Sequence, residues 1–156
     1  MKSIYIVGSL KMIEKISKFA KTLRELFGDN YIIEDSWTSH GDKPDIHFRD
    51  YAEERKWSYT EAMASPIARS IFLTDKHFID KSCAVIMIQP CGQSAAYELG
   101  YAAGTGKRTV IIKDIPKDSV LPKVDMMENF ADIISPNIDH FLEHDFITFK
   151  HLCERC

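Results

Sequence analysis

The sequence predicts a three-layer α/β/α fold built on a five-stranded, mostly parallel sheet of the flavodoxin or Rossmann-like type. The first observation is that short β-rich segments alternate with segments whose apolar residues recur at helical spacing. The second is that residues 84–89 (AVIMIQ) are apolar at nearly every position, as expected of a parallel strand buried on both faces. Strands and helices that alternate in this way join through right-handed crossovers into a parallel sheet.

The first half of the chain holds two predicted strands and two predicted helices. In chain order these are the strand at 3–7 (SIYIV), the helix at 12–27, the strand at 31–33 (YII) and an uneven helix at 51–64. Turn-forming residues separate the first three elements, at Gly8-Ser9 and at Gly28-Asp29-Asn30. Residues 35–44 are polar and irregular, with the clearest turn signal at His40-Gly41-Asp42.

The second half repeats the alternation. Ser65-Pro66 predicts a helix start, because a capping hydroxyl precedes a proline at the first helical position. The predicted elements are this helix to about residue 81, the strand at 84–89, a helix at 94–105, strands at 109–112 and 131–134, and a terminal helix that opens at Ser135-Pro136. Small side chains on the inner side of the 94–105 helix suit close packing on a sheet, and Gly104 and Gly106 close that helix.

The composition narrows the classes of function. The 156 residues suffice for one domain, predicted to span residues 1–156, and 45% hydrophobic with 28% charged residues is typical of a globular chain. The formal net charge of −3 and the pI of about 6.1 argue against sequence-independent binding to nucleic acid, which requires a basic face. We therefore expect no nucleic-acid partner.

The first residues and the cysteines predict the cellular compartment of the protein. The chain enters a strand pattern at once, without the layout of a secretory signal, and no stretch reaches the length of a membrane span. The four cysteines, at positions 83, 91, 153 and 156, do not form a secreted disulfide framework. These patterns predict a cytoplasmic protein with no membrane partner.

A ligand of such a sheet binds beyond the carboxyl ends of the strands, which here are followed by Gly8-Ser9-Leu10, residues 37–44 and residues 90–94. With Ser94 as helix cap, Glu98 falls about one turn into the helix, where free amides and the helix dipole favour an ionised carboxylate. Such a group on a rigid helix suits a nucleophile. The alternative is a glutamate that only complements the dipole.

Three sequence features together resemble the nucleoside 2-deoxyribosyltransferase superfamily, which includes nucleotide N-glycoside hydrolases. They are a first strand that ends in Gly-Ser (IYIVGSL), an aspartate ahead of the third strand, and the segment Glu-Leu-Gly-Tyr-Ala at 98–102. The resemblance implies that Glu98 attacks the anomeric carbon of a nucleoside or nucleotide, and that water or a second base accepts the sugar. It implies no metal or organic cofactor. It also implies a homo-oligomer.

Cleavage of an N-glycosidic bond passes through an oxocarbenium-like sugar, which a carboxylate stabilises or traps. The departing base needs a proton, so a second acid is required. Asp75 is the candidate, because it stands where the family carries its aspartate; the alternative is an ordinary exposed helix residue. Asp80 lies nearer the strand and is expected to cap or to form a salt bridge.

One departure from the family concerns the loop before Glu98. The transferases carry an aspartate six residues before that glutamate, where this chain has Gly92. Gly92, Gln93 and Ser94 at a helix N-terminus can cradle a 5′-phosphate through backbone amides. This favours a nucleotide over a nucleoside. Helix capping is the alternative role of Ser94, and the two roles are compatible.

The remaining candidate contacts are Gly8, Ser9, Leu10, Trp37 and His40. The first three resemble the family loop that lines the sugar and base pocket, although a plain β-to-α turn would look the same. Trp37 and His40 are the predicted ligand contacts in an aromatic-rich segment, 37–59, that could equally cover one face of the sheet. Tyr5 is assigned to sheet packing and not to the site.

Two further interpretations of the chain remain open, and two are disfavoured. An NAD-cleaving enzyme breaks a related bond with a glutamate, and a nucleotide-binding sensor would keep the fold without turnover. A flavodoxin-like electron carrier is disfavoured, because the first loop lacks a run of hydroxyl residues for a flavin phosphate. A zinc site is disfavoured too: the terminal residues His140, His144, Cys153 and Cys156 have ligand spacings but no knuckle turn.

Overall fold

A computed structural model describes residues 1–39, 44–115 and 125–156. Its strands are β1 (Lys2–Val7), β2 (Tyr31–Glu34), β3 (Ala84–Ile88), β4 (Arg108–Ile112) and β5 (Ile133–Ser135). Its helices are α1 (Ile13–Phe27), α2 (Ser36–Ser39), α3 (Pro44–Glu54), α4 (Tyr59–Ala64), α5 (Pro66–Lys81), α6 (Gln93–Gly104), α7 (Ile138–His140) and α8 (Phe146–Glu154). A five-residue π-helical stretch, Phe141–Asp145, joins the last two.

All five strands pair in parallel in the order β2-β1-β3-β4-β5. This is the flavodoxin-like order of a doubly wound sheet, in which the switch between β1 and β3 opens a crevice at the carboxyl ends. β3 is central and buried at every position, as its apolar sequence predicts. The predicted fold class is therefore confirmed.

Alternating side chains divide the core into two layers, because successive residues of a strand point to opposite faces. Ile4 and Ile6 of β1 pack with α1 and with the aromatic residues of the terminal helices. Tyr5 and Val7 pack on the other face, against α5 and α6. The helices thus lie on both faces of the sheet, and α5 and α6 lie side by side over β1 and β3.

Most helix boundaries follow local capping. Ser65 caps α5 as predicted, since its hydroxyl accepts a hydrogen bond from Ala68 N at 3.2 Å. The uneven 51–64 segment is two helices: Ser58 and Glu61 form a reciprocal capping box that starts α4. Helix α2 replaces part of the irregular segment expected at 35–44, because Asp35 O and its carboxylate accept hydrogen bonds from Thr38 at 2.8 and 3.3 Å.

Two predicted helix starts are wrong. Gly92, not Ser94, is the N-cap of α6, with no side-chain capping bond, and Ser94 lies inside the first turn. The terminal helix begins at Asn137, whose side chain accepts from His140 N at 2.8 Å. Ser135 is instead the buried last residue of β5. Helix α6 thus starts two residues before the nearest hydroxyl suggests, whereas the terminal helix starts two residues after it.

Within the described ranges, none of the helices has the length and apolar character needed to cross a membrane.

Candidate active site

A cleft opens at the carboxyl edge of the sheet, at the switch point between β1 and β3. Its walls come from β1 and the loop after it, from α2, and from the facing sides of α5 and α6. The lining residues are Tyr5, Val7, Gly8, Leu10, Trp37, Ile71, Asp75, Ser94, Ala95 and Glu98. The cleft therefore combines apolar walls with two carboxylates and two hydroxyl-bearing residues, Tyr5 and Ser94.

Glu98 reaches the cleft from α6. That helix buries Ala95, Leu99 and Ala102 against the sheet, and Glu98, half-buried, lies at the edge of this face. Ser94 is four residues earlier and shares the same side of the helix. Because α6 starts at Gln93, Glu98 lies in the second turn. The effect of the helix dipole fades beyond the first turn. It therefore stabilises the ionised form of Glu98 less than a helix capped by Ser94 would.

Asp75 faces the same cleft from α5 and is half-buried. Ile71 lines the cleft one turn before it, as the helical repeat requires. Since α5 and α6 pack on the same face of the sheet, the two carboxylates come from neighbouring helices. The structure thus brings together the pair that the sequence singled out.

Asp80 lies outside this cleft and is held by neighbours. Its carboxylate accepts hydrogen bonds from Lys76 Nζ at 2.6 Å and from the Tyr101 hydroxyl at 2.8 Å. The Lys76 and Tyr101 bonds lower the pKa of Asp80. The salt bridge expected for Asp80 is confirmed. The bond from Tyr101 also links α6 to α5.

The loop after β1 brings backbone close to the cleft at Gly8. A Cβ at this position would lie 2.6 Å from Cδ1 of Ile16 and 3.3 Å from the carbonyl oxygen of Ile88. Leu10 lines the cleft beyond it. Ser9 instead caps the short 3-10 helix Leu10–Met12, by accepting from Lys11 N at 3.3 Å, and is not among the cleft-lining residues.

We expect Gly8→Ala to destabilise the fold by about 1–3 kcal/mol, because the added methyl group overpacks the interface of α1 with the sheet. Urea denaturation monitored by circular dichroism measures the change. Gly104→Ala is the matched control, since a Cβ there meets no atom within 4 Å and alanine is the better helix former. A Gly8→Ala protein as stable as the parent would contradict the close approach.

Trp37 presents its ring to the cleft from α2. Its indole Nε1 donates a hydrogen bond to Ile6 O at 2.7 Å, so the ring is fixed and its only donor is occupied. Arg24 forms an ion pair with the buried Asp35 and donates to Ile33 O at 2.8 Å. This network holds α2 against the end of β2. Trp37 can therefore stack on a flat ligand, but it cannot read the ligand's edge with its N–H.

Sequence reasoning missed four cleft residues: Tyr5, Val7, Ile71 and Ala95. Tyr5 does pack on the sheet as assigned, with 3% exposure and a stacked contact to Phe78 at 5.9 Å between centroids, but it also lines the cleft. The available signal was the strand period, which places Tyr5 two residues before Val7 on the face that carries α5 and α6. Ile71 carried a comparable signal, four residues before Asp75.

Several predicted contacts are not among the residues lining the cleft. Gly92 and Gln93 lie at the amino end of α6 beside Ser94, and His40 lies outside the described residues. Tyr51 and Trp57 pack edge to face with each other, with the Arg55 guanidinium 4.2 Å from the centre of the Tyr51 ring. Of the described aromatic residues in the 37–59 segment, only Trp37 lines the cleft.

The histidines of the C-terminal segment are engaged in other contacts. His140 Nδ1 lies 3.2 Å from the Asp145 carboxylate and 3.3 Å from the Ser135 hydroxyl. The rings of His140 and His144 are in contact, 4.6 Å apart between centroids. Among the described residues, no three histidine, cysteine or acidic side chains are arranged to hold a metal ion.

The charged groups and hydrogen-bond donors of the cleft determine which ligands it can bind. Asp75 and Glu98 are its charged groups, and the described lining includes no lysine or arginine. At the amino end of α6, the donors for an anion are the Ser94 hydroxyl and the free amides of the first turn. The arrangement offers a nucleophilic carboxylate, a second carboxyl group for proton transfer, and a flat apolar wall.

Comparisons with known proteins find similarity in structure alone. No protein-family model and no curated protein sequence matches the chain. Among solved structures, the chain is similar to Clostridium botulinum CMP N-glycosidase, BcmB, with a TM-score of 0.54 and 12% sequence identity. The match covers 94% of this chain and 99% of that one. At this identity the likeness establishes the fold, which the two proteins share along nearly their whole lengths.

Proposed function

We propose that the protein cleaves the N-glycosidic bond of a (deoxy)nucleoside 5′-monophosphate or nucleoside, with Glu98 as nucleophile and Asp75 as the acid and base. The observation that carries the proposal is that these two carboxylates line one cleft at the carboxyl edge of the sheet. The shared fold with a CMP N-glycosidase supports the same class of chemistry. The proposed reaction needs no metal or organic cofactor.

The proposed reaction has two steps, and both use the carboxyl groups of Glu98 and Asp75. In the first, a Glu98 carboxylate oxygen bonds to C1′ of the sugar, the C1′–N bond breaks, and the departing base takes a proton from Asp75. In the second, Asp75 removes a proton from water or from an acceptor base, which displaces Glu98 from C1′. The apolar wall beside Trp37 stacks on the base and keeps bulk water from the oxocarbenium-like sugar.

A substrate panel tests the proposal. The purified protein is incubated with the common ribo- and deoxyribonucleosides, their 5′-monophosphates and NAD, with and without a free acceptor base, and the products are identified by mass. We expect release of a free base from at least one nucleoside or monophosphate. Release of nicotinamide from NAD alone would favour the NAD-cleaving alternative. Saturable binding without any product would favour a nucleotide sensor.

The phosphate is proposed to bind at the amino end of α6, where Gly92 avoids the repulsion of an acid and Ser94 offers its hydroxyl. Charge-assisted hydrogen bonds contribute roughly 1.5–3 kcal/mol each, so we expect kcat/KM for a monophosphate to exceed that of its nucleoside by about a hundredfold or more. Ser94→Ala should reduce monophosphate turnover and leave nucleoside turnover nearly unchanged. Steady-state kinetics on both substrates measure the difference.

Ser70→Ala is the matched control for this experiment, because Ser70 is exposed on α5 and is not among the cleft-lining residues. Equal turnover of nucleoside and monophosphate would contradict a phosphate subsite. If a free base also raised the rate by accepting the sugar, the function would be a nucleoside transferase.

We also propose that the protein assembles as a homo-oligomer. Large apolar side chains are exposed on the outer side of α4, α5 and α6: Tyr59, Met63, Phe72, Leu73 and Tyr97. Apolar side chains clustered on a surface are typical of protein interfaces. Two of these helices, α5 and α6, also carry the cleft residues Asp75 and Glu98.

A further inference from the structure

Three of the four cysteines meet at the amino-terminal edge of the sheet, the edge opposite the cleft. Cys83 directly precedes β3, Cys153 belongs to α8, and Cys156 follows that helix. The backbone of Cys83 is fixed between two strands, because its N–H donates to Ser3 O at 2.8 Å and its carbonyl accepts from Arg108 N at 3.1 Å. The cluster therefore joins the sheet to the last helix.

The three cysteines lie close together. Cys156 Sγ lies 3.5 Å from the carbonyl oxygens of both Cys83 and Leu152, and Cys83 packs against the core cluster that contains Cys153. Cys153 is fully buried, whereas Cys83 is half-buried and Cys156 is exposed. Lys2 Nζ donates to the carbonyl oxygens of Cys153 and Glu154, each at 3.0 Å, which holds the end of α8 beside β1.

The surroundings favour one negative charge in this cluster, on Cys83. The hydrogen bonds from Cys153 and Cys156 and the nearby Lys2 ammonium lower the pKa of Cys83 to about 7. The neighbouring thiolate and burial raise the pKa of Cys153, which therefore remains the hydrogen-bond donor. Tyr31 stays neutral, since burial and the adjacent cysteines raise its pKa to about 12. A thiolate with a thiol in contact is the pairing that reactive cysteine sites use.

We propose that Cys83 is a peroxide-reactive thiol that closes a disulfide with Cys153. The Cys83 thiolate attacks one oxygen of hydrogen peroxide and breaks the O–O bond, which gives a sulfenic acid and hydroxide. The Cys153 sulfur then attacks the Cys83 sulfur, loses its proton and displaces the hydroxyl group as water. Two electrons pass from the two thiols to the peroxide. The product ties α8 covalently to the sheet.

The first test compares two cysteines of the same chain. Cys91 is also half-buried, but burial and the charge of Glu98 raise the pKa of its thiol. At pH 7.5 we expect iodoacetamide to modify Cys83 at least about tenfold faster than Cys91, since about two thirds or more of a thiol with a pKa near 7 is ionised there. Peptide mass spectrometry measures both rates. Equal rates would overturn the assignment of Cys83 as the reactive thiol.

The second test maps the oxidation product. Treatment with a slight excess of hydrogen peroxide should remove two hydrogen atoms from the intact mass and yield a Cys83–Cys153 linked peptide that dithiothreitol cleaves. Cys91→Ser should leave this product unchanged, while Cys153→Ala should leave Cys83 as a sulfenic acid that dimedone captures. A linkage of Cys83 to Cys156, or a dimedone adduct of Cys83 in the parent protein, would overturn Cys153 as the resolving thiol.

Discussion

Glu98→Gln is expected to lower kcat/KM for the active substrate by about three orders of magnitude or more. Glutamine keeps the size and hydrogen-bonding atoms of the side chain, so the packing of α6 on the sheet should survive. It removes the negative charge that attacks C1′ and stabilises the oxocarbenium-like transition state. Steady-state rates with the best substrate of the panel measure the loss, and circular dichroism confirms the fold.

Glu143→Gln is the matched control for Glu98→Gln. Glu143 is well exposed in the π-helical stretch, 3.7 Å from Nε2 of His144, and is not among the cleft-lining residues, so its replacement should leave turnover unchanged. A second readout is direct: quenched parent enzyme should carry a sugar adduct on the peptide that contains Glu98. Turnover of Glu98→Gln within tenfold of the parent would eliminate the proposed nucleophile.

The sheet could be predicted from the sequence because its strands carry a strong signal. A central parallel strand is buried on both faces, and residues 84–88 are apolar throughout. Ser65-Pro66 locates the start of α5, because the cap bond and the fixed proline backbone are local properties. Such features depend on a few neighbouring residues and not on the path of the rest of the chain.

Helix starts after a strand were harder to predict. Hydroxyl residues at 94 and 135 each offer a plausible cap, yet the caps are Gly92 and Asn137. The choice depends on how many residues the chain needs to leave the sheet and turn over it, which is a property of the tertiary structure. The consequence for the site is specific: Glu98 lies two residues deeper in its helix than expected.

Cleft residues that follow a strand could be predicted from the sequence, whereas those within a strand could not. Gly8, Leu10 and Ser94 come from loops or helix starts at the carboxyl edge, which the topology marks in advance. Tyr5 lies within β1 and looks like a core residue by its period. The strand period predicts the face on which Tyr5 lies, but the opening of the cleft onto that face depends on how α5 and α6 pack over β1.

Asp75→Asn separates proton transfer from sugar binding, and its effect should depend on the leaving group. An ordinary base departs only with a proton, so removal of the acid should reduce its kcat/KM by about 10²–10⁴-fold. A 4-nitrophenyl glycoside of the same sugar phosphate departs as a stable anion and needs no proton. Its kcat/KM, which reports the step up to departure of the leaving group, should fall by less than about tenfold in the same variant.

Asp80→Asn is the matched control for Asp75→Asn, because Asp80 lies on the same helix but outside the cleft, paired with Lys76. It removes a carboxylate charge without touching the reacting groups and keeps an oxygen that can accept the hydrogen bond from Tyr101, so both substrates should keep the parent rates. If Asp75→Asn slowed the natural base and the 4-nitrophenyl glycoside equally, Asp75 would hold the sugar in place and would not protonate the base. The second acid would then have to be sought elsewhere in the cleft.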